Sequence, residues 1–215
     1  MERVICIAVG YAFGLFQTGY IYGKMHNIDI RTQGSGNAGT TNALRTMGWK
    51  AGFTTFLGDL LKCALAVLCV RLIYGAKMPE MLPVFSMYAG MGAVLGHNFP
   101  FYLKFKGGKG IAATAGLILS TTNLKITLIC YIAFLLTVAI TKYVSVGSMV
   151  ILTSYLICVI VYGTMGGYQV TGTNLWEIYG IAIFLVVLGI YRHKANIQRL
   201  LSGTENKLSV GKSKK

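Results

Sequence analysis

Residues 124–141 read LKITLICYIAFLLTVAIT, a stretch with one charged side chain among apolar and hydroxyl-bearing residues. A helix that crosses a bilayer needs about 20 mostly apolar residues, and this stretch is close to that length. Similar runs lie on either side of it, at 4–23, 51–75, 84–103, 146–165 and 175–191. The chain is therefore predicted to be an all-α integral membrane protein.

One further apolar run, 110–122, is shorter than the others. At about 1.5 Å per residue it falls short of a hydrocarbon core of about 30 Å. It is either a short helix packed inside the bundle or a re-entrant segment. Counted as a crossing, it gives a bundle of seven transmembrane helices.

The charge of the chain is strongly positive. The 215 residues are 54% hydrophobic and only 12% charged, with a formal net charge of +14, whereas soluble domains carry about 25% charged residues. Lys and Arg gather in 24–50, 104–109 and 192–215, and such clusters are typical of cytoplasmic loops. With seven crossings and the N-terminus outside, all three clusters face the cytoplasm. We expect anionic partners, membrane lipids among them, and no nucleic acid.

Three polar, glycine-rich islands interrupt the apolar pattern, at 34–42, 96–110 and 192–199. They contain nearly all side chains able to do chemistry, so we expect them to form one site at the cytoplasmic membrane surface. Asp59 and Lys62 lie three residues apart within an apolar run. Because charge is costly in hydrocarbon, they are expected to pair with each other or to face that site.

Small residues at four-residue spacing occur in the first and third runs, as Gly10-x-x-x-Gly14 and Gly92-x-x-x-Gly96. This spacing allows two helix backbones to approach closely. We interpret these glycines as packing surfaces.

The sequence Gly107-Gly108-Lys109-Gly110 precedes a helical run. Consecutive amides of a glycine-rich turn, a lysine and a helix N-terminus all favour phosphate. The alternative is a flexible cytoplasmic turn. The first island offers Ser35, Asn37, Thr41 and Asn42, followed by Arg45, a set suited to a phosphate or a polyol. Thr41 or Asn42 is also a candidate helix N-cap.

His97 and His193 lie in islands beside cations and asparagines. A neighbouring cation favours neutral imidazole, which can serve as a general base. No island holds two acidic residues, so we expect no metal site and no metal-dependent phosphotransfer.

Three motifs identify a family resemblance. They read SGNAGTTNALR at 35–45, GHNFPFYLKFKGGKG at 96–110 and RHKANIQRLLSGTE at 192–205. In order, size and membrane context they resemble the bacterial integral-membrane acyl-phosphate:glycerol-3-phosphate acyltransferases. One departure is Ala113 before Thr114, where that family often has Thr.

The resemblance implies seven transmembrane helices in the plasma membrane and a cytoplasmic active site. It also implies acyl transfer from acyl phosphate to the sn-1 hydroxyl of glycerol-3-phosphate, an early step of phospholipid synthesis that gives lysophosphatidic acid and needs no cofactor. Residues 1–203 would form a single acyltransferase domain and 204–215 a basic tail.

On this basis the expected roles are as follows. Ser35, Asn37, Arg45 and Lys104 hold one phosphate, and the 107–110 turn holds the other. His193 with Asn196 orients or deprotonates the attacking hydroxyl, unless a substrate phosphate oxygen is the base. His97 either stabilises the oxyanion or fixes the loop, and Glu205 either contacts basic residues of the site or lies exposed in the tail. The expected catalytic residues are His193, Asn196, Ser35 and His97. The expected substrate-binding residues are Ser35, Asn37, Thr41, Asn42, Arg45, Lys104, Gly107, Gly108, Lys109, Gly110, Arg192 and Glu205.

Two other function classes compete with this interpretation. A carrier of phosphate esters would also have a basic, glycine-rich site, but carriers place it near the midplane between repeats, and no repeat is evident here. A membrane serine hydrolase would use Ser35 as its nucleophile with a histidine and Asp59.

Overall fold

The computed structural model of the protein describes residues 1–208, and every regular element in that range is helical. Short 3₁₀ turns occupy some of the loops. The α-helices in chain order are α1 (Glu2–Gly14), α2 (Thr18–Met25), α3 (Thr40–Met47), α4 (Trp49–Tyr74), α5 (Leu82–Asn98), α6 (Ile111–Thr121), α7 (Leu124–Thr141), α8 (Val144–Thr164), α9 (Gly172–Arg192) and α10 (Lys194–Leu201). The all-helical prediction is confirmed for this part of the chain.

Four segments are long and apolar enough to cross a membrane: Glu2–Met25, which joins α1 and α2, and the helices α7, α8 and α9. Helix α4 is longer than any of these but contains Lys50, Asp59, Lys62 and Arg71. Helix α5 has 17 residues and α6 has 11. The helix count of seven therefore stays a prediction.

The first predicted run forms two helices rather than one, with a break at residues 15–17. Gln17, which is 1% exposed, leaves helical geometry with φ −93° and ψ 85°. Its amide donates to the carbonyls of Gly14, Gly96 and His97 at 3.1–3.3 Å. Because an unpaired carbonyl is costly inside a membrane, this buried amide stabilises the break.

Helices α1 and α5 pack through the predicted glycines. A Cβ atom on Gly10 would lie 1.9 Å from the Ala89 carbonyl oxygen, and Gly14 and Gly96 meet at their Cα atoms. A Cβ on Gly92 would likewise come within 2.3 Å of the α1 backbone. The interpretation as packing surfaces is confirmed, and the close approach fixes the end of α5 that carries His97.

Helix α6 lies inside the bundle rather than on its surface. Its residues 113–118 are buried, and a Cβ on Gly116 would lie 2.2 Å from the Leu60 carbonyl oxygen of α4. Of the two alternatives for 110–122, the short packed helix is the one observed. Its N-terminus meets the loops that carry the polar islands.

Candidate active site

Residues from all three islands line one cavity of about 590 Å³. The polar part of its wall comes from the loops, from α3, α10 and the start of α6, and from polar residues of α4, α5 and α8. The apolar part comes from α4, α7 and α8, through Phe56, Leu60, Tyr131, Phe134, Leu135, Val138 and Ile151. The predicted site residues that line the cavity are Ser35, Asn37, Thr41, Asn42, Arg45, His97, Lys109, Gly110, His193, Asn196 and Glu205.

The first island is held together by the side chain of Asn42. Its Nδ2 donates to the carbonyls of Ile30, Gln33 and Asn37 at 2.9–3.2 Å, and its Oδ1 accepts from the Ser35 amide at 2.9 Å. The side chain is 2% exposed, so its polar atoms serve the loop, which differs from the predicted contact with substrate.

Helix α3 begins at Thr40, with Gly39 at the N-cap. The prediction that Thr41 or Asn42 caps a helix is therefore wrong. Ser35 and Arg45, in contrast, line the cavity, and neither side chain has a hydrogen-bond or ion-pair partner within residues 1–208. Both are available to a ligand.

The amides of Gly107 and Gly108 are already in use. They donate to the carbonyls of Asn98 and His97 at 3.2 and 3.1 Å, and Arg192 donates to the Gly107 and Gly108 carbonyls at 3.2 and 2.8 Å. Gly107, Gly108 and Arg192 were all predicted to contact substrate, but they lie outside the cavity wall. They secure the loop to the ends of α5 and α9, because the last carbonyls of a helix need donors.

The loop then places Lys109 and Gly110 at the cavity. Gly110 is the N-cap of α6 with φ +86°, a left-handed conformation that favours glycine. The first-turn amides of α6 lack intrahelical acceptors, and the lining includes Ile111 and Ala112 beside Lys109. A helix N-terminus next to a lysine favours an anion. The cavity therefore meets Lys109 and the start of α6, and Gly107 and Gly108 do not line it.

Lys104, which was predicted to hold phosphate, does not line the cavity in this structure. It is exposed, has a left-handed backbone with φ +54°, and lies outside the cavity wall. It follows a 3₁₀ turn, which directs the chain away before it returns at Gly107.

His193 lies at the junction of α9 and α10, where its Nδ1 is 2.7 Å from the Gly189 carbonyl oxygen. Since a carbonyl only accepts, Nδ1 carries the proton and Nε2 keeps its lone pair. Burial lowers the pKa of His193 to about 4, so the ring is neutral near pH 7. It lines the cavity as a hydrogen-bond acceptor.

A network around Glu205 fixes the third island. Glu205 Oε1 accepts from Asn196 Nδ2 at 2.7 Å and from the Ser145 hydroxyl at 3.0 Å, and Oε2 pairs with Arg199 Nε at 2.7 Å. The side chain is 7% exposed. Burial opposes its charge, but these hydrogen bonds and the arginine keep the pKa of Glu205 below its usual value.

Of the two alternatives for Glu205, contact with a basic residue is the one observed. The segment 204–208 returns to the bundle, where the Leu208 amide donates to the Lys142 carbonyl at 2.7 Å. Residues 209–215 of the predicted tail lie outside the described residues.

The network extends to Lys109, whose ammonium donates to Asn196 Oδ1. Both ends of the Asn196 amide are thereby occupied. Burial, followed by the positive charge of Arg199, lowers the pKa of Lys109 to about 8. Asn196 therefore positions Lys109 at the cavity wall.

Beneath the loops, Lys62 and Asp59 form the predicted ion pair, with Nζ 2.9 Å from Oδ1. Asp59 also lines the cavity. The contact between Lys62 and His97 was not predicted, since the two residues are on different helices.

Sequence reasoning also missed Tyr131 in the apolar part of the cavity wall and four polar residues of that wall: Ser145, Ser148, Arg199 and Asn206. Arg199 belongs to the quoted third motif, which was the available signal, whereas Tyr131 and Ser148 lie within apolar runs that gave none. Within residues 1–208, no three His, Cys, Asp or Glu side chains cluster as a metal site would require.

Comparison with known proteins relates this arrangement to a family. Residues 4–203 match the model of the family described as Glycerol-3-phosphate acyltransferase. The chain is 44% identical over 211 residues to the Glycerol-3-phosphate acyltransferase of Clostridioides difficile (strain 630), covering 97% of each.

Two crystal structures of PlsY (YgiH), an integral membrane glycerol 3-phosphate acyltransferase, are similar in fold. The glycerol 3-phosphate form has a TM-score of 0.82 at 30% identity, over 97% of this chain and 96% of that one. The lysophosphatidic acid form has a TM-score of 0.81 at 28% identity, over 98% and 97%.

Proposed function

Because the chain belongs to the glycerol-3-phosphate acyltransferase family, we propose that it transfers an acyl group from acyl phosphate to the sn-1 hydroxyl of glycerol-3-phosphate. The products are lysophosphatidic acid and inorganic phosphate. The names of the two similar structures mention glycerol 3-phosphate and lysophosphatidic acid, which supports the acceptor and the product.

The observation that carries the proposal is the two-part wall of a single cavity. One part presents Arg45, Lys109 and the start of α6, and the other part is apolar. A phosphate ester and an acyl phosphate together need cationic groups for two phosphates and an apolar space for one chain. This cavity offers both within reach of His193.

In the reaction, the sn-1 hydroxyl attacks the carbonyl carbon of the acyl phosphate, and the bond from that carbon to the phosphate oxygen breaks. His193 Nε2 accepts a hydrogen bond from the hydroxyl and orients it. A pKa of about 4 makes His193 a weak base, whereas a phosphate ester has a second pKa of about 6. A substrate phosphate oxygen is therefore the stronger proton acceptor.

The protein supplies position and charge to this reaction. Arg45 and Lys109 neutralise phosphate oxygens, and phosphate leaves without a covalent acyl-enzyme. Asn196 and Glu205 act through Lys109 rather than on the substrate. Asn196 accepts a hydrogen bond from Lys109, and Glu205 orients Asn196. Ser35 is assigned to a phosphate or glycerol oxygen.

The seven-helix topology belongs to the same proposal. The segment Glu2–Met25 and the helices α4 to α9 would each cross the plasma membrane. Odd parity would then bring the islands after the first, third and seventh crossings to the cytoplasmic side. That one cavity contains all three islands supports this arrangement.

The test is an assay of the purified protein with glycerol-3-phosphate and either acyl phosphate or acyl-CoA. We expect lysophosphatidic acid and phosphate in equal amounts with acyl phosphate alone, and an ester at sn-1 in the product. Turnover with acyl-CoA alone would overturn the donor. Turnover with neither would favour the carrier, and stoichiometric labelling of Ser35 by a serine-reactive phosphonate would favour the hydrolase.

A further inference from the structure

The cavity has an inner end, on the side away from the polar islands, where four helices stop lining it. The last wall residues on that side are Leu60 of α4, Ala115 of α6, Tyr131 of α7 and Ile151 of α8. Within residues 1–208, the parts of these helices that lie further from the islands do not line the cavity. They belong to the apolar core instead. The Tyr131 hydroxyl donates to the Ala115 carbonyl at 2.7 Å, so α7 and α6 are joined at this end and close it.

The depth between the islands and the inner end is small. From the α6 N-cap, Gly110, to Ala115 is five residues, or about 7.5 Å at the helix rise of about 1.5 Å per residue. From Val138 to Tyr131 along α7 is seven residues, or about 10 Å. The chain of a membrane lipid, in contrast, crosses half of the hydrocarbon core, or about 15 Å. A long acyl chain is therefore longer than the space between the islands and Tyr131, which must also hold the reacting groups.

One side of the cavity is bordered by exposed apolar side chains. Phe56 of α4 and Leu135 of α7 line the cavity and are 36% and 62% exposed. Helices α4 and α7 both pack against α6, whose residues 113–118 are buried. Helix α6 therefore lies behind the cavity, and the two exposed side chains lie at its outer side. Leu135 is inside a helix of spanning length, where an exposed leucine faces hydrocarbon.

We propose that Phe56 and Leu135 border a lateral opening, through which the distal part of the donor's acyl chain extends into the bilayer. The protein encloses only the carbons next to the reacting carbonyl, and lipid surrounds the others. The enzyme consequently does not distinguish long-chain donors by their length. The inference rests on the proposed function and deepens it, because it specifies how the acyl donor binds.

The first test compares lauroyl, palmitoyl and stearoyl phosphate as donors, each incorporated at the same level in vesicles that contain the unsubstituted protein. We expect kcat/KM values within about threefold of each other, because the additional methylenes stay in lipid and bury no new apolar surface. The opposite arrangement is a chain enclosed inside the cavity, with Tyr131 limiting its length. A strong preference for one length, since an enclosing pocket gives about tenfold or more per methylene, would overturn the proposal.

The second test narrows the opening with Phe56→Trp/Leu135→Trp. Palmitoyl phosphate should lose about tenfold in kcat/KM, because its chain must displace a bulkier side chain. Butyryl phosphate, whose short chain fits the enclosed depth, should keep the kcat/KM of the unsubstituted protein. The matched control is Leu57→Trp/Leu136→Trp at the adjacent positions, which are 40% and 57% exposed but do not line the cavity. It should leave both donors unaffected.

These assays separate the lateral opening from the acyl transfer itself. No loss in Phe56→Trp/Leu135→Trp, or a loss for butyryl phosphate as large as that for palmitoyl phosphate, would overturn the opening while acyl transfer stood. If the unsubstituted protein used none of these donors, the proposed function would fail and the opening with it. If the double variant fails to fold, the comparison of chain lengths in the unsubstituted protein still decides the proposal.

Discussion

Asn196 donates from Nδ2 to Glu205 Oε1 at 2.7 Å, and this contact turns its Oδ1 toward the ammonium of Lys109. The orientation of one amide thus depends on a carboxylate nine residues further along the chain. Glu205 in turn is held by α8 and α10 through Ser145 and Arg199.

Replacing Glu205 with alanine should disorient Asn196 and release Lys109. We expect a fall in kcat/KM of at least about tenfold and a loss of about 1–3 kcal/mol in the free energy of unfolding, because buried donors lose their acceptor. Steady-state kinetics and denaturation measure the two effects. Glu80→Ala, at an exposed glutamate, is the matched control, and equal behaviour of the two variants would contradict the role of Glu205.

Arg45 and Lys104 form a second matched pair, since both were predicted to hold phosphate and only Arg45 lines the cavity. Arg45→Ala should raise the KM of one substrate by about tenfold or more, or abolish turnover, because a phosphate contact in a desolvated pocket is lost. Lys104→Ala should keep the KM of each substrate within about twofold of that of the unsubstituted enzyme, because Lys104 is exposed and does not line the cavity. A larger effect at Lys104 than at Arg45 would contradict the phosphate site described above.

Gly108→Ala should lower kcat, although it removes no charge and Gly108 is not in the left-handed region. The reason is steric, since the new methyl group would occupy the space of His97 Nε2. We expect a loss of about tenfold or more in kcat, because a shifted loop would misplace Lys109 in the cavity. The control is Gly180→Ala in α9, where a Cβ meets nothing within 4 Å. Wild-type kinetics for Gly108→Ala would rule out the observed loop packing.

The pKa of Lys109 predicts an alkaline limit to activity. Because its pKa is lowered to about 8, the ammonium is present below that pH and is lost as the pH rises through it. The pH profile of kcat/KM, which reports groups of the free enzyme, should therefore fall with an apparent pKa of about 8. In the Lys109→Arg variant this fall of kcat/KM at alkaline pH should disappear, since arginine stays charged. If kcat/KM of that variant still fell with an apparent pKa of about 8, the titrating group would be a residue other than Lys109.

The orientation in the membrane can be tested with single cysteines at exposed positions, after the five native cysteines are replaced. Gln33→Cys, Lys106→Cys and Lys194→Cys, one exposed residue for each island, should react with an impermeant reagent only from the cytoplasmic side. Glu80→Cys, between α4 and α5, should react only from outside. Labelling of any of the first three from outside would contradict seven crossings.

Several features of the fold followed from local patterns. Apolar run length placed most helices, and the spacing of Gly10, Gly14, Gly92 and Gly96 identified the contact between α1 and α5. The ion pair of Asp59 and Lys62 followed from the cost of charge in an apolar run. In each case the deciding property lies within one short segment.

The features that sequence reasoning missed depend on groups from distant segments. The break at Gln17 lies in an uninterrupted apolar run, and it is stable because α5 offers carbonyls to the Gln17 amide. In the sequence, the amides of Gly107 and Gly108 have no evident acceptor, but carbonyl oxygens at the end of α5 accept hydrogen bonds from them. Composition does not reveal which partner will occupy a backbone group, so the sequence did not show that these two amides bond within the protein.

The apolar part of the cavity wall, formed by α4, α7 and α8, has a consequence for how the proposed acyl donor would reach the site. If the donor is the proposed long-chain acyl phosphate dissolved in the bilayer, it would encounter the protein within a plane, while glycerol-3-phosphate would arrive from water. Saturation by the donor would then follow its mole fraction among the lipids, and dilution of the vesicles at constant lipid composition would leave it unchanged.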